Sequence, residues 1–304
     1  MASFYPSARA IADSVSPSGD RLITMEVEFH RFILAEFNTH RQFSRNFQSS
    51  RAIPVEKLLE LVLKSPAMPL HYGKNQPGMQ AEQEHDGLVS WPFHTSDYLL
   101  VEDAWGLAAS TAATIAKAFH EAGYHKQIVN RLIEPFLPVR GVVTASEEAY
   151  NHFFSLRCHK AAQPEIQALA NEMRAALGAS VPVKLNVGDW HLPYLAISNE
   201  VVGSPSLEEL IKISISCCAQ VSYRKLDDSL EKALDIYTKL NLPSSGEMRE
   251  DPPHFSPAEH VAICISQSPP HLRGNFNTPT FAQYRKLLEC GVEGTFLEYT
   301  KNKK

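Results

Sequence analysis

The sequence has no long apolar run, no excess of positive charge and no C-x-x-C cysteine pair. No stretch approaches the roughly 18 consecutive apolar residues that a membrane-spanning helix needs. Lys and Arg total 29 against 34 Asp and Glu, which gives a formal net charge of -5 and argues against a protein that coats nucleic acid or anionic membranes. We therefore predict a protein that binds neither nucleic acid nor a membrane.

The cysteines and histidines also lack the spacings of disulfide frameworks and metal sites. The five cysteines are odd in number, so we predict reduced, mostly buried thiols. The 13 histidines show neither an H-E-x-x-H motif nor a paired spacing, and we predict no metal site. The N-terminus lacks a basic region followed by an apolar stretch, which favours a cytoplasmic location.

Apolar periodicity predicts an α/β fold in which a mixed or antiparallel sheet carries long helices. Alternation over 21–37 predicts a strand that leads into a mixed segment, and 141–144 is predicted as a short strand. The proline-rich segment 65–94 is predicted as a long ordered loop. Spacings of three and four residues predict helices over 53–63, 97–122, from 127 to a stop at Pro135, 147–177 with an interruption near Pro164, 206–218 and 228–240.

The most informative segment is 39–51, THRQFSRNFQSSR. It holds three Arg, one His and three Ser, and no acidic residue lies between Glu36 and Glu56. Arg guanidinium groups match phosphate oxygens bidentately, and Ser hydroxyls and loop N–H groups add neutral donors. The composition therefore predicts a site for a phosphate monoester or pyrophosphate, with a solvated basic loop as the alternative.

Two further arginines, Arg131 and Arg157, stand within otherwise apolar helical segments. Such an arginine must find a partner, because its charge is costly to bury alone. An anionic ligand is one candidate, and an internal Asp or Glu is the commoner one.

These segments together resemble the flavin-dependent thymidylate synthases, whose signature runs Arg-His-Arg-x-x-Ser-x-Asn-Glu-x-Ser-x-Arg-Tyr. The sequence departs from the signature at Thr39, Phe47 and Ala52, which stand in place of Arg, Glu and Tyr. The matched positions are His40, Arg41, Ser44, Asn46, Ser49 and Arg51.

Other blocks of the family are also similar, although two of them stand in a different order. Arg131 and Pro135 match an Arg-x-x-x-Pro block, and the segment from Leu156 to Ile166 matches Leu-Arg-x-x-x-x-Ala-Gln-x-Glu-Ile. Segments 218–223 (CAQVSY) and 254–260 (HFSPAEH) follow the signature here, whereas their counterparts precede it in the family. We predict a single domain over 1–304 with circularly permuted blocks, and an inserted loop and helix over 65–122.

The resemblance implies a homotetramer whose active sites form between subunits and hold FAD, a uridylate nucleotide and methylenetetrahydrofolate, with NADPH as reductant. Arg157 and Ser49 are the implied catalytic residues, where Arg157 polarises the pyrimidine and Ser49 is a ligand contact rather than a nucleophile. The implied FAD-side residues are His40, Arg41, Ser44, Asn46 and His260. The implied nucleotide-side residues are Arg51, Ser49, Ser50, Arg131 and Arg157.

The departures from the signature bear on substrate choice. Without the charges normally found at positions 39 and 47, we expect an altered pocket wall and a relaxed sugar preference. The function predicted is flavin-dependent C5 methylation of UMP, dUMP or both, as in modified-nucleoside or nucleoside-antibiotic pathways. The alternatives are strict conversion of dUMP to dTMP, a hydroxymethyl product, and a non-catalytic flavin- or nucleotide-binding relative.

Overall fold

The computed structural model describes residues 4–90, 98–195, 205–222, 228–243 and 252–301. The strands in chain order are β1 (Ser7–Val15), β2 (Arg21–His30), β3 (Ser44–Phe47), β4 (Val89–Ser90), β5 (Tyr98–Leu99), β6 (Pro138–Ser146), β7 (Val183–Lys184), β8 (Trp190–His191), β9 (Ala262–Cys264) and β10 (Phe281–Gln283).

Ten α-helices are distributed along the described part of the chain. They are α1 (Leu34–Phe37), α2 (Val55–Lys64), α3 (Val101–Glu121), α4 (Lys126–Val129), α5 (Glu147–Arg157), α6 (Pro164–Ala179), α7 (Leu207–Ala219), α8 (Leu230–Lys239), α9 (Tyr284–Cys290) and α10 (Glu293–Lys301).

The central sheet has five strands in the order β3-β6-β2-β1-β7. Strand β7 runs parallel to β1, and the other neighbouring pairs are antiparallel, so the sheet is mixed. A second sheet has the order β10-β9-β8, and β4 pairs with β5 as a two-stranded ribbon. The predicted α/β class with a mixed sheet and long helices is confirmed.

Helices α5 and α6 cover one face of the central sheet. Their apolar side chains pack on β2 around a group of aromatic rings that includes Phe29, Phe37, Phe43 and Phe153, all of them almost fully buried. A separate apolar cluster lies in the C-terminal part, around Trp190 and the β9 strand. The thiols of Cys217, Cys218 and Cys264 are buried, Cys158 is half-buried and Cys290 is exposed, so the prediction of mostly buried thiols is confirmed.

Several helix predictions are confirmed at their local signals. Ser206 and Glu209 form a reciprocal capping box at the start of α7. Pro164 occupies the first turn of α6 and separates it from α5. Gly123, predicted to end the long helix α3, has a φ of +86°, a conformation that glycine adopts without strain.

Other boundaries were wrong for reasons of pairing. The strand predicted over 141–144 extends over all of β6, because β6 pairs with β2 on one side and β3 on the other. Pro135 does not stop the helix from 127: after α4, a 3₁₀ helix over Asn130–Phe136 passes through it. The long helix begins at Val101, four residues after the predicted Asp97, which lies outside the described residues, because β5 pairs with β4 first.

Strands β1, β3, β4, β5, β7, β8, β9 and β10 were not predicted. The last three contain only two or three residues each, too few to show a period. Within the described ranges, no helix combines the length and the apolar character needed to cross a bilayer.

Candidate functional site

Strand β3 lies in the middle of the basic segment and sends alternate side chains to opposite faces of the sheet. Ser44 is fully buried, and its hydroxyl accepts a hydrogen bond from Gln283 Nε2 at 3.0 Å. Asn46 Nδ2 donates to the carbonyl oxygen of Cys218 at 2.8 Å. The signature serine and asparagine therefore fasten two C-terminal segments to the central sheet.

Phe47, which stands in place of the signature Glu, packs into the aromatic core. Its ring centroid lies 5.5 Å from those of Phe29 and Phe37, edge-on in both cases. Gly141 lies opposite on β6, where a Cβ atom would overlap the Phe47 ring. The aromatic side chain turns toward apolar neighbours and is not among the residues that line the pocket described next, so an effect of position 47 on a pocket wall stays a prediction. Thr39 does line a pocket, and its hydroxyl donates to the Glu36 carbonyl oxygen at 2.7 Å.

That pocket has a volume of about 450 Å³ and lies between the segment after α1 and helix α5. Small-molecule sites are commonly about 300–1,000 Å³. Its walls bring together residues from two separate blocks of the sequence. They are Thr39, His40, Arg41, Gln42 and Phe43 from one side, and Glu148, Ala149, His152, Leu156 and Arg157 from the other.

The pocket is basic, and its two sides are joined by one hydrogen bond. Arg157 Nε donates to His40 Nε2 at 2.9 Å. Burial, followed by the nearby positive charge of Arg157, lowers the pKa of His40 to about 4. His40 is therefore neutral at neutral pH, and the lining carries two positive charges, on Arg41 and Arg157, against the one carboxylate of Glu148.

A second cluster of predicted residues lies beyond the other end of β3. Arg131 is exposed, and its Nη1 contacts the two carboxylate oxygens of Glu134 at 2.8 and 3.0 Å. Arg31 Nη2 lies 3.0 Å from the same carboxylate. Arg131 thus has an internal acidic partner, for which the three-residue spacing to Glu134 was the signal, and its contact with an anionic ligand stays a prediction. Arg31 was missed, because only the fold brings it to Glu134.

Glu134 is held in its charged form by these neighbours. Burial acts to raise its pKa, but hydrogen bonds from Ser50 and Arg131 and the charges of Arg31 and Arg131 lower the pKa below its ordinary value. Ser50 is buried, and its carbonyl oxygen accepts from Asn130 Nδ2 at 2.7 Å. The segment with Ser49, Ser50 and the exposed Arg51 is thereby tied to the turn that carries Arg131.

A cleft of about 640 Å³ adjoins this second cluster. Its polar lining includes Gln48, Lys57 and Arg140, and its other side is formed by Ala219 and Val221. The cleft is thus lined both by the signature and by the 218–223 block. Tyr223, the last residue of that block, lies outside the described residues.

The structure does not bring all predicted site residues together in one chain. The pocket with His40, Arg41 and Arg157 contains none of Ser49, Arg51 and Arg131. The signature residues of this pocket come before β3 in the chain, and the residues of the second cluster come after β3. Each residue of a strand adds about 3.3 Å to the separation between the two ends. The two clusters therefore lie at opposite ends of β3.

His260 lies in neither cluster and is fully buried. Its Nδ1 is 2.8 Å from the hydroxyl of Thr144, which is 2.7 Å from that of Thr24. Thr24 contacts Nε2 of the buried His191 at 2.8 Å, and His191 Nδ1 contacts the Ser14 hydroxyl, also at 2.8 Å. Burial lowers the pKa of both histidines to about 3. This buried polar chain joins the central sheet to the C-terminal part.

Among the described residues, no three His, Cys, Asp or Glu side chains converge as metal ligands.

Comparisons with known proteins were made for sequence and for structure. No curated protein matches the sequence. The UMP/dUMP methylase PolB from Streptomyces cacaoi, bound with 5-Br UMP, is 18% identical over 57% of this chain and 88% of PolB, with a TM-score of 0.44. Its structure with 5-Br dUMP is 15% identical over 58% and 91%, with a TM-score of 0.43. Thymidylate synthase X from Helicobacter pylori, with FAD and dUMP, is 16% identical over 51% and 67%, with a TM-score of 0.35.

The family comparison covers the two clusters just described. The model of the thymidylate synthase complementing protein family matches residues 16–183, more than half of the 304-residue chain. The match includes the whole signature together with Arg131 and Arg157, and it ends before the 218–223 block and His260. The chain therefore belongs to the thymidylate synthase complementing protein family, the flavin-dependent thymidylate synthases that its signature resembles.

Proposed function

We propose that this protein is a flavin-dependent methylase that transfers a one-carbon unit to C5 of a uridylate, UMP or dUMP. One observation carries the proposal: Arg157, from the Leu-Arg block, meets His40 and Arg41, from the signature, at one basic pocket. Arg157 is distant in sequence from the adjacent pair His40 and Arg41, and each of the three matches a functional position of the family. A merely solvated basic segment would not require this convergence.

The residues of this pocket fit a flavin. Arg41 and Arg157 supply cationic donors for anionic or carbonyl oxygens, and the neutral His40 and the buried Phe43 supply a flat, uncharged wall. When bound here, FAD reduced by NADPH would supply the hydride for the reaction, and methylenetetrahydrofolate would supply the carbon. His40 and Arg41 would hold the flavin. Ser44, Asn46 and His260 do not line this pocket, and their polar atoms bond to Gln283, Cys218 and Thr144, so their contact with flavin stays a prediction from the resemblance.

Arg157 carries the electrostatic part of the catalysis. A guanidinium placed at a pyrimidine carbonyl stabilises the negative charge that develops as C5 becomes nucleophilic. No covalent attack by a cysteine or serine is then required.

The second cluster would hold the nucleotide phosphate and sugar, through Ser49, Ser50, Arg51 and Arg131. Arg131 is exposed and can exchange the Glu134 carboxylate for a phosphate. Arg31 keeps its contact with Glu134 during that exchange, so the carboxylate is not left without a cation. The arrangement can therefore accept an anion without leaving a buried charge unpaired.

Because the two clusters lie at opposite ends of β3, we propose that a complete site combines one cluster from each of two chains. A closed homo-oligomer, here a homotetramer, provides such pairs by symmetry. The substrates are small molecules, the uridylate and the folate, and we propose that the enzyme acts in the cytoplasm.

The sugar preference follows from the pocket wall. Phe47 packs against buried aromatic rings and does not line this pocket, so Thr39 is the departure from the signature that changes the charge of the wall. We propose that loss of this one arginine relaxes discrimination, so that both UMP and dUMP are methylated. Strict use of dUMP is the second candidate, favoured by the retained His40, Arg41 and Arg157.

The proposal is tested by release of tritium from C5-labelled UMP and dUMP. The protein is assayed with FAD, NADPH and methylenetetrahydrofolate, and the masses of the nucleotide products are determined by mass spectrometry. We expect release from both nucleotides and the mass gain of one methyl group. Release from dUMP alone would establish a strict thymidylate synthase. A mass gain of one hydroxymethyl group would show that the product is a hydroxymethylated nucleotide and not a methylated one. A flavin-containing protein that releases tritium from neither would be a non-catalytic relative.

A further inference from the structure

The contact between Arg157 and His40 fixes the protonation of the imidazole. A guanidinium has donors and no acceptor, so Arg157 Nε–H must donate to His40 Nε2, at 2.9 Å. His40 Nε2 therefore bears no hydrogen, and the ring is neutral with its proton on Nδ1. A charged imidazole could not make this contact.

The His40 ring is itself held in place. It meets the Phe153 ring edge-on, with centroids 4.7 Å apart and an interplanar angle of 88°. The Phe43 ring lies 6.0 Å away on another side. The His40 carbonyl oxygen accepts from Arg45 Nη1 at 3.1 Å, and its N–H donates to the Phe37 carbonyl oxygen at 3.2 Å. Backbone and ring are thus both restrained.

Burial and the Arg157 charge lower the pKa of His40 to about 4. The lone pair on Nε2 is therefore available at neutral pH, where an ordinary histidine with a pKa near 6.5 is partly protonated. The aromatic neighbours restrain the ring, and its neutral Nε2 can accept the hydrogen bond from the Arg157 guanidinium. Other charged or titratable groups near the ring are Arg45 and His152, and both act in the same direction on its pKa.

We propose that His40 is a positioning residue for Arg157: it anchors Nε and leaves the two Nη groups for a ligand in the pocket. The inference rests on the proposed function only for the identity of that ligand, a uridylate carbonyl. It gives His40 a role within the chain that is separate from any contact with flavin. Nη groups fixed in this way meet a carbonyl oxygen with little loss of side-chain freedom.

Two variants separate the acceptor from the packing of the ring. His40→Phe keeps an aromatic side chain against Phe153 and removes the acceptor. His40→Gln places an amide oxygen near the position of Nε2 and can still accept from Arg157. If His40 positions Arg157, kcat for uridylate falls about 10- to 100-fold in His40→Phe, and His40→Gln recovers most of it, with KM for the nucleotide changing less than kcat.

A second readout needs neither flavin nor substrate. The Nε–H signal of Arg157 is assigned in a ¹H–¹⁵N spectrum by its loss in Arg157→Lys. We expect slow hydrogen exchange for this proton in the wild type and in His40→Gln, and fast exchange in His40→Phe. Arg21 Nε, which donates to Asp13 at 2.9 Å, provides the internal reference that the fold is intact.

The outcomes distinguish the two proposals. Slow exchange that persists in His40→Phe, with an unchanged kcat, would overturn the positioning role. A wild type that shows the protected Arg157 proton but methylates neither UMP nor dUMP would overturn the proposed function and leave the contact established. Fast exchange of Arg157 Nε–H in the wild type, with the Arg21 proton still protected, would also overturn the positioning role.

Discussion

Replacing Arg157 with alanine is expected to lower kcat for uridylate methylation by about 10²- to 10³-fold. That is the usual effect of removing one donor aimed at developing negative charge. The side chain lines the basic pocket and is anchored there by His40, so its removal leaves the pyrimidine carbonyl without the group we assign to it. Steady-state kinetics with UMP and dUMP measure the loss.

Two controls sharpen this prediction. Arg157→Lys keeps the positive charge but loses the planar fork and the Nε donor, and we expect it to recover little activity. Arg174→Ala removes an exposed arginine from α6, where it contacts Asn171, and we expect wild-type kinetics. An Arg157→Ala enzyme within twofold of the wild type would remove Arg157 from the catalytic account.

Replacing Thr144 with valine is expected to lower the free energy of unfolding by about 2–4 kcal/mol. Valine fills the same volume without the hydroxyl, so Thr24 loses one contact and His260 Nδ1 loses its hydrogen bond. Thr24 keeps its contact with His191, so the lost Thr24–Thr144 hydrogen bond costs about 1 kcal/mol, and leaving His260 Nδ1 without a partner costs about 1–3 kcal/mol. Urea denaturation at pH 7.5 measures the change. Above pH 6.5, His191 and His260 are mostly neutral in the unfolded chain as well as in the folded one. Below that pH they take up protons more readily in the unfolded chain, so a lower pH progressively favours unfolding.

Thr144→Ser is the matched control. Serine keeps the hydroxyl and loses one methyl group, so its expected cost is only about 1 kcal/mol. If the free energy of unfolding of Thr144→Val equals or exceeds that of Thr144→Ser, the buried polar chain does not hold the C-terminal part to the sheet in the way proposed.

Local signals explain how much of the fold was predictable. The Ser206 capping box, Pro164 in a first turn and Gly123 after a long helix each act within a few residues. The short strands β8 to β10 depend instead on partners elsewhere in the chain. Strand β9, for example, exists because it pairs with both β8 and β10, and no window of sequence around it contains that information.

The same distinction applies to the site. The Arg131–Glu134 pair could be read from its spacing, because three residues separate neighbours on a helical turn. The contact between His40 and Arg157, and the arrival of Arg31 at Glu134, required the fold. Phe47 illustrates the limit of a motif: its position was matched to a polar site residue, but the absence of a side chain at Gly141 gives its ring a place in the core.

The central claim is that one active site combines the basic pocket of one chain, which contains Arg157, with the second cluster of another chain, which contains Arg51. Subunit complementation tests this claim most directly. Arg157→Ala and Arg51→Ala are each expected to be inactive, and they are unfolded and refolded together. Mixed pairs then contain one intact site, so random assembly predicts recovery to about a quarter of wild-type activity. The Arg157→Ala/Arg51→Ala double variant, refolded with either single variant, should recover none. Mixed oligomers that form but stay inactive, while the wild type survives the same treatment, would contradict the shared site.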